Sequence, residues 1–438
     1  MTGPSTERAS DAAPAFASAA ASVRLGDLLG LGCLVLLPLA MWLANRSAPL
    51  MLGLSTLGFL VAALAENGPS QLIGRLRAVL ASPIALVLSA FLLWALASLG
   101  WSHRSLAAGL SAWAELVFPL LCGALLAASG RFRPDLGWNR ALALAIILAS
   151  LLMTVELLSG LSQRAALGIG RPYGFVFNRP VLTCLLLSAA ILPLLLDRLA
   201  LPGSWLRRGL GLLLLAALFD LVLVSDSGAA TFGLLIMALV WSLAALAPRF
   251  MLGAVALAFV ATMALAPFTG VLVDKALPPD MHQRFAQSHS RERADIWLSF
   301  GEAIRARPML GSGFASSATL DQNPVAQAVS AEHRRMLAAG HPHSAPMQVW
   351  VETGFVGAAL STLAGLLLLW RLRALPARQI APRLALFSAA FAIAATAHGA
   401  WQGWWAAGLV VAALWLHAQT AAPAQAPPGL SRAGYCND

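Results

Sequence analysis

Apolar runs broken by short polar stretches make up most of the chain. Runs long enough to cross a ~30 Å hydrocarbon core, about 20 residues each, fall near 25–44, 48–65, 83–100, 106–128, 141–159, 181–196, 209–224, 228–247, 250–272, 345–370, 383–398 and 403–418. The pattern predicts an all-α polytopic protein with about twelve transmembrane helices, 24–272 holding the first nine and 345–418 the last three. Several runs are short, and the break before 228 is tight. Residues 1–23 and 419–438, rich in Ala, Ser and Pro, are expected as a disordered leader and tail. The leader has no basic segment followed by a short apolar core, as a cleaved signal would. One long polar stretch remains, residues 273–344.

Composition agrees with a lipid solvent. Of 438 residues 59% are hydrophobic and 11% charged, where a soluble chain has about a quarter charged. The formal charge of +10 comes from arginines in short breaks between apolar runs; Lys275 is the one lysine. If the N-terminus is cytoplasmic, the inside breaks hold Arg75, Arg77, Arg131, Arg133, Arg140, Arg198, Arg207, Arg208, Arg249, Arg371, Arg373, Arg378 and Arg383. The short outside breaks hold Arg46, Arg104, Arg164, Arg171 and Arg179. That bias predicts a multi-pass inner-membrane protein, both termini cytoplasmic and 273–344 extracytoplasmic. It also accounts for the basic charge without a nucleic-acid partner. Cys33, Cys122 and Cys184 sit in apolar runs and Cys436 in the tail, with no metal-ligand spacing.

Two segments of the long loop carry structure. Over Arg291–Ala306, Ile296, Trp297, Phe300, Ala303 and Ile304 recur at helical spacing, which predicts an amphipathic helix at the membrane surface. Arg293 lies one turn before Trp297, on the membrane-facing edge: either a snorkelling arginine or a cation placed for a lipid phosphate. Glu292 and Asp295 read as solvated charges. Pro308 ends the helix and Gly311-Ser312-Gly313-Phe314 forms a turn. The second segment starts a helix at Ser344, an expected N-cap, and stacks Ser344, Gln348 and Glu352 on one face. A bare Glu352 two turns into the membrane would cost on the order of 2.5–3.5 kcal/mol, so it should face the bundle interior or a cavity. Gly354 and Gly357 would admit a neighbouring helix. His343 stands at the positive end of the helix, which disfavours imidazolium and attracts anions. It is either a helix-end histidine or a neutral general base.

The stretch His343-Ser344…Gln348…Glu352…Gly354…Gly357, following a long loop, resembles the O-antigen ligase and polymerase superfamily. Arg293-Ala294-Asp295-Ile296-Trp297 with Pro308…Gly311-Ser312-Gly313 is similar to the upstream part of the same pattern. Arg171-Pro172-Tyr173-Gly174-Phe175-Val176-Phe177-Asn178 is more weakly similar to the segment before the family's middle helices. The resemblance implies a GT-C-like glycosyltransferase of the bacterial inner membrane, with the long loop on the periplasmic face, inverting and without metal or other cofactor. It would move a glycan from undecaprenyl diphosphate to an acceptor sugar hydroxyl, on the lipid A core for a ligase or on another lipid-linked repeat for a polymerase. By motif, His343 would be the catalytic base or acceptor-orienting group and Arg293 would hold the diphosphate. Ser344, Gln348 and Glu352 would support them.

One element departs from the family. Ligases carry an arginine at the turn between two middle helices, where this chain has Ser225-Asp226-Ser227-Gly228. Asp226 would repel a diphosphate unless it met a sugar hydroxyl or an arginine; Arg291, Arg171 and Arg179 are possible replacements. The departure makes a polymerase or related transferase more credible. A transporter is the alternative from another class; it would explain Glu115 and Asp220 within apolar runs and would require paired broken helices.

Overall fold

The computed structural model describes residues 7–169, 173–196, 205–276 and 290–419. Short polar residues set where its helices start. Ser82 accepts the Ala85 N–H just ahead of Pro83, Asp135 accepts that of Trp138 at 2.9 Å, and Ser227 that of Ala230. Each closes one of the amide groups that a helix N-terminus leaves open. In chain order the helices are α1 (Glu7–Leu43), α2 (Ala48–Leu80), α3 (Pro83–Ser98), α4 (Leu106–Ser129), α5 (Leu136–Leu158), the short α6 (Ser162–Ala166), α7 (Asn178–Leu196) and α8 (Trp205–Val224). They continue with α9 (Gly228–Leu246), α10 (Pro248–Leu265), α11 (Thr269–Ala276), α12 (Ser290–Ala306), α13 (Ala345–Leu372), α14 (Ala377–Thr396) and α15 (Gly403–Ala418). The described residues form no strand.

Among the described residues ten helical segments are long and apolar enough to cross a membrane. Two of the twelve expected spans fall outside that set. One is α8, which carries Arg207, Arg208 and Asp220, and the other is the 16-residue α15. Helix α1 begins at Glu7, inside the stretch expected as a leader, although its apolar part is Ala20–Leu43. Helix α7 is apolar on every side and buried along Val181–Leu192, so it forms the centre of the bundle. Several polar groups between the helices find partners, as a medium without water favours. Thr154 donates to Asp220 at 3.0 Å and Trp415 to Asn139 at 2.7 Å, while Glu156 takes the backbone N–H groups of Gln163 and Arg164, both at 2.8 Å.

The loop from 290 to 344 is folded onto the bundle. Helix α12 forms where the periodicity predicts it, but Ile296, Phe300, Ala303 and Ile304 face protein. They pack against Leu320, Val325, Val329 and Leu337 from three following 3-10 turns, and against Met347 and Val351 of α13. The expectation of a helix lying on lipid is corrected accordingly. Isolated apolar residues in irregular turns supply its partner surface, and they have no period to reveal it.

Helix α13 is broken at Gly354 (φ 64°, ψ −164°), a region open to glycine and little else. The segment Pro308–Gly313 fills the break. Ser312 and Gly313 donate to the carbonyls of Val351 (2.7 Å) and Glu352 (2.9 Å), Trp94 donates to that of Thr353 (2.9 Å), and Phe355 donates to Pro308 (2.8 Å). A Cβ at Gly354 would stand 2.3 Å from the Met309 carbonyl oxygen. Gly354 therefore admits a loop rather than the helix expected from sequence.

Candidate functional site

Three elements converge where α14 ends. Arg293, on the first turns of α12, donates to the Thr396 carbonyl at 3.0 Å. The next carbonyl, that of Ala397, lies near the His343 ring and favours its protonated form. Trp297 donates to the Pro342 carbonyl at 2.9 Å, which ties α12 to the strand of chain bearing His343. Arg293 and Trp297 thus share an edge, as the helical spacing predicts, but that edge faces protein and not lipid.

Among the described residues His343 is one of three non-glycine residues with a positive φ, at 49°. Such a conformation costs on the order of 1–3 kcal/mol and persists where surrounding contacts impose it. Here the His343 N–H reaches His341 Nδ1 at 3.2 Å, and the two rings lie 4.1 Å apart. Burial, then the charge of Arg293, holds the His343 imidazole below the ordinary histidine value, although the Ala397 carbonyl opposes this. A neutral ring that donates through one nitrogen keeps a lone pair on the other, as a base requires. Burial and His343 push His341 down to about 4. Burial also lowers the Arg293 value, which Glu292 partly offsets.

Glu352 is fully buried beneath this cluster. It accepts from Ala315 N (2.6 Å), Ser317 N (3.4 Å), Gln348 Nε2 (2.9 Å) and Trp401 Nε1 (2.6 Å). Gln348 in turn accepts from Ala400 N at 2.8 Å. The pair pins the turn after Gly313 and the turn after α14 to the outer half of α13. Ser344 occupies the N-cap position and its carbonyl accepts from Gln348 N at 2.9 Å; its hydroxyl makes no capping bond.

The remaining sequence candidates lie apart. Arg291 is exposed. Asp226 is exposed at the turn between α8 and α9, its carboxylate 3.9 Å from where a Cβ on Gly174 would stand. Arg171 lies outside the described residues.

Two cavities adjoin His341, and His343 and Arg293 stand outside the walls of both. The larger, about 730 Å³, is walled by Arg46, Glu115, Arg179, His341, Gln402 and Trp404 among others. The smaller, about 170 Å³, includes Arg104, His341, Gln348, Glu352, Trp401 and Gln402 in its wall. His341 and Gln402 border both. His398 sits behind them with its Nε2 unpartnered. It is pushed to about 4 by burial first, then by Arg179, His341, His343 and Arg293. His341, His398, Arg46, Gln402 and the pairing of Arg179 with this site were not legible in the sequence. The doublet His341-Pro342-His343 was the available clue, since two histidines flanking a proline at a helix entrance share one turn.

This arrangement defines a polytopic helical membrane protein with an arginine- and histidine-lined cavity at the bundle end that bears the folded loop. A family model described as O-Antigen ligase matches residues 211–362, a span that holds α12, Arg293, His343 and the broken helix. The match shows this part of the chain to be similar to the O-antigen ligase superfamily and supports a ligase- or polymerase-type glycosyltransferase acting on a lipid-linked glycan and an acceptor. A search of curated proteins returned no match.

Proposed function

We propose that the protein transfers a glycan from undecaprenyl diphosphate to a sugar hydroxyl of the lipid A core, at the periplasmic face of the inner membrane, with inversion and without a metal. The observation that carries this reading is the meeting of Arg293, bonded to the Thr396 carbonyl, with the His343 ring beside the next carbonyl, Ala397. The acceptor hydroxyl attacks the anomeric carbon, its proton passes to the free nitrogen of His343, and the bond to the diphosphate breaks. Arg293 is placed to offset charge on the departing phosphate. Gln348 and Glu352 act one step back, by holding the turns that carry this pair, and Ser344 does so through its backbone. The diphosphate is already a good leaving group, so one base and a set of cations suffice.

Asp226, exposed where ligases of the superfamily carry an arginine, favours a second reading in which the acceptor is another lipid-linked repeat and the product a growing polymer. The break in α13 gives a transporter little support. The freed carbonyls of Val351, Glu352 and Thr353 are taken by Ser312, Gly313 and Trp94, leaving none turned toward an ion.

The deciding experiment resolves surface polysaccharide by gel in a deletion strain supplied with wild type, His343→Ala or Arg293→Ala. Long lipid-linked chains that stay unattached to the core, with both variants inactive at normal membrane levels, identify a ligase. Loss of long chains with one repeat still attached identifies a polymerase. Full complementation by both variants sinks the mechanism.

A further inference from the structure

Resting on the glycosyl-transfer reading above, we propose that Arg46 and Arg179, on the wall of the 730 Å³ cavity, bind the diphosphate of the lipid-linked donor, supplying the cations that the Ser225–Gly228 turn lacks. Arg46 stands in the break between α1 and α2, and Arg179 in the first turn of α7. Their charges are near enough to repel. Among the described residues no carboxylate forms an ion pair with either. A helix N-terminus adds a positive field around Arg179. Two cations without an acid partner beside that field, on one cavity wall, favour an anion of more than one charge between them. A diphosphate has that charge, and its several oxygens suit two guanidinium forks.

Neighbouring groups fit the same ligand. The Arg179 guanidinium lies over the Trp404 ring, 5.9 Å from its centroid, which steadies a long side chain without neutralising it. Since His341 Nδ1 accepts from His343 N, the neutral ring carries its proton on Nε2. The ring borders the same cavity and can donate to a phosphate oxygen. His341 also borders the smaller cavity, so a diphosphate bound here lies next to the space open to an acceptor. Glu115 forms part of the larger cavity's wall and would repel phosphate, which leaves its carboxylate for sugar hydroxyls. Arg179 and Arg293 both act on His398, so these two arginines approach one point from different helices.

The test uses the purified full chain in detergent and equilibrium binding of radiolabelled farnesyl diphosphate. Farnesyl monophosphate, inorganic diphosphate and phosphatidylglycerol serve as competitors. Wild type should bind saturably, with each competitor at least tenfold weaker than unlabelled farnesyl diphosphate. Arg46→Gln and Arg179→Gln should each weaken binding about tenfold, roughly 1.4 kcal/mol. Arg133→Gln, an exposed position at the opposite end of the bundle, should bind as wild type. Arg46 is exposed, so its variant keeps the test valid if Arg179→Gln fails to fold. Wild-type binding that both variants retain overturns this assignment and leaves the glycosyltransferase reading standing. No binding by wild type counts against that reading itself. Equal competition by inorganic diphosphate overturns the lipid-linked source, and equal competition by phosphatidylglycerol makes the site one for membrane headgroups.

Discussion

The two ends of the bundle treat charge differently. At the end away from the folded loop, Arg131 is held by Asp27 and Glu66, with its Nε 2.7 Å from Asp27. Three helical neighbourhoods are clamped there, with two carboxylates on one guanidinium. At the other end Arg293 rests on a backbone carbonyl, Arg179 lies over an indole ring, and Arg46 has no acid partner among the described residues. Neutralised charge marks where the protein holds itself together. Cations left with weak partners mark where it holds something else.

Glu352 shows that what separates the two kinds of charge is whether the group is satisfied, not which end it occupies. It sits at the site end yet has four donors, so it belongs with the structural charges. The largest effect predicted is for Glu352→Leu. It strands the N–H groups of Ala315 and Trp401, with a cost of about 1–3 kcal/mol for each unmet group. The loop from 308 to 317 should detach from α13, seen as new proteolytic cleavage there and a lower melting temperature of the purified protein. Gly354→Ala should act the same way, because its Cβ meets the Met309 carbonyl. If Glu352→Leu melts like wild type and loses only activity, Glu352 is part of the chemistry and not of the frame.

Next in size is the contrast between the two arginines. Arg293→Ala should lower transfer by about 10²–10³-fold, the usual loss for one group that stabilises developing charge. Its melting temperature should stay close to that of wild type. Arg131→Ala should do the reverse, losing on the order of 1 kcal/mol of stability and keeping its turnover per folded molecule. The same pattern in both variants, whichever it is, would erase the distinction between the ends.

How much of this was open to a reader of the sequence varies by element. Helical periodicity located α12 to within a residue and put Arg293 and Trp297 on one edge. It could not say what that edge faced, because the covering residues Leu320, Val325 and Leu337 lie in turns with no repeat. The i, i+4 stack of Gln348 and Glu352 was visible and pointed inward as found, since a carboxylate two turns into a membrane needs partners. The partners themselves, Ala315 N and Trp401, come from 37 and 49 residues away. Arg46, Arg179 and Glu115 looked like separate oddities in different breaks and runs. Only the packing of α15 against α2, α4 and α7 makes them one cavity.

A smaller effect concerns pH. The His343 value is held below 6.5 by burial and Arg293, and a base must be neutral to act. Activity should therefore stay level as pH falls from neutrality through 6.5, and decline only below that. Arg293→Ala removes one of the depressing charges, so the acid limb of its residual activity should move to higher pH. An acid limb of wild type centred at or above 6.5, unmoved in Arg293→Ala, would rule out His343 as the titrating base.

The smallest effect expected is at Arg291. It is one of the possible replacements for the family's missing arginine, yet it stands two residues before Arg293, a turn of about 200° along a helix, so the two side chains leave opposite faces. Arg293 enters the protein toward Thr396 while Arg291 is exposed. An exposed arginine contributes mainly a screened charge, felt within about 8–10 Å at physiological salt. Arg291→Ala should therefore reduce transfer no more than about twofold at that ionic strength, with a larger loss only when salt is lowered. A salt-independent loss as deep as that of Arg293→Ala would mean that Arg291 swings into the site when substrate binds. The cation set would then be assembled by the ligand, rather than waiting for it on α7, α12 and the break after α1.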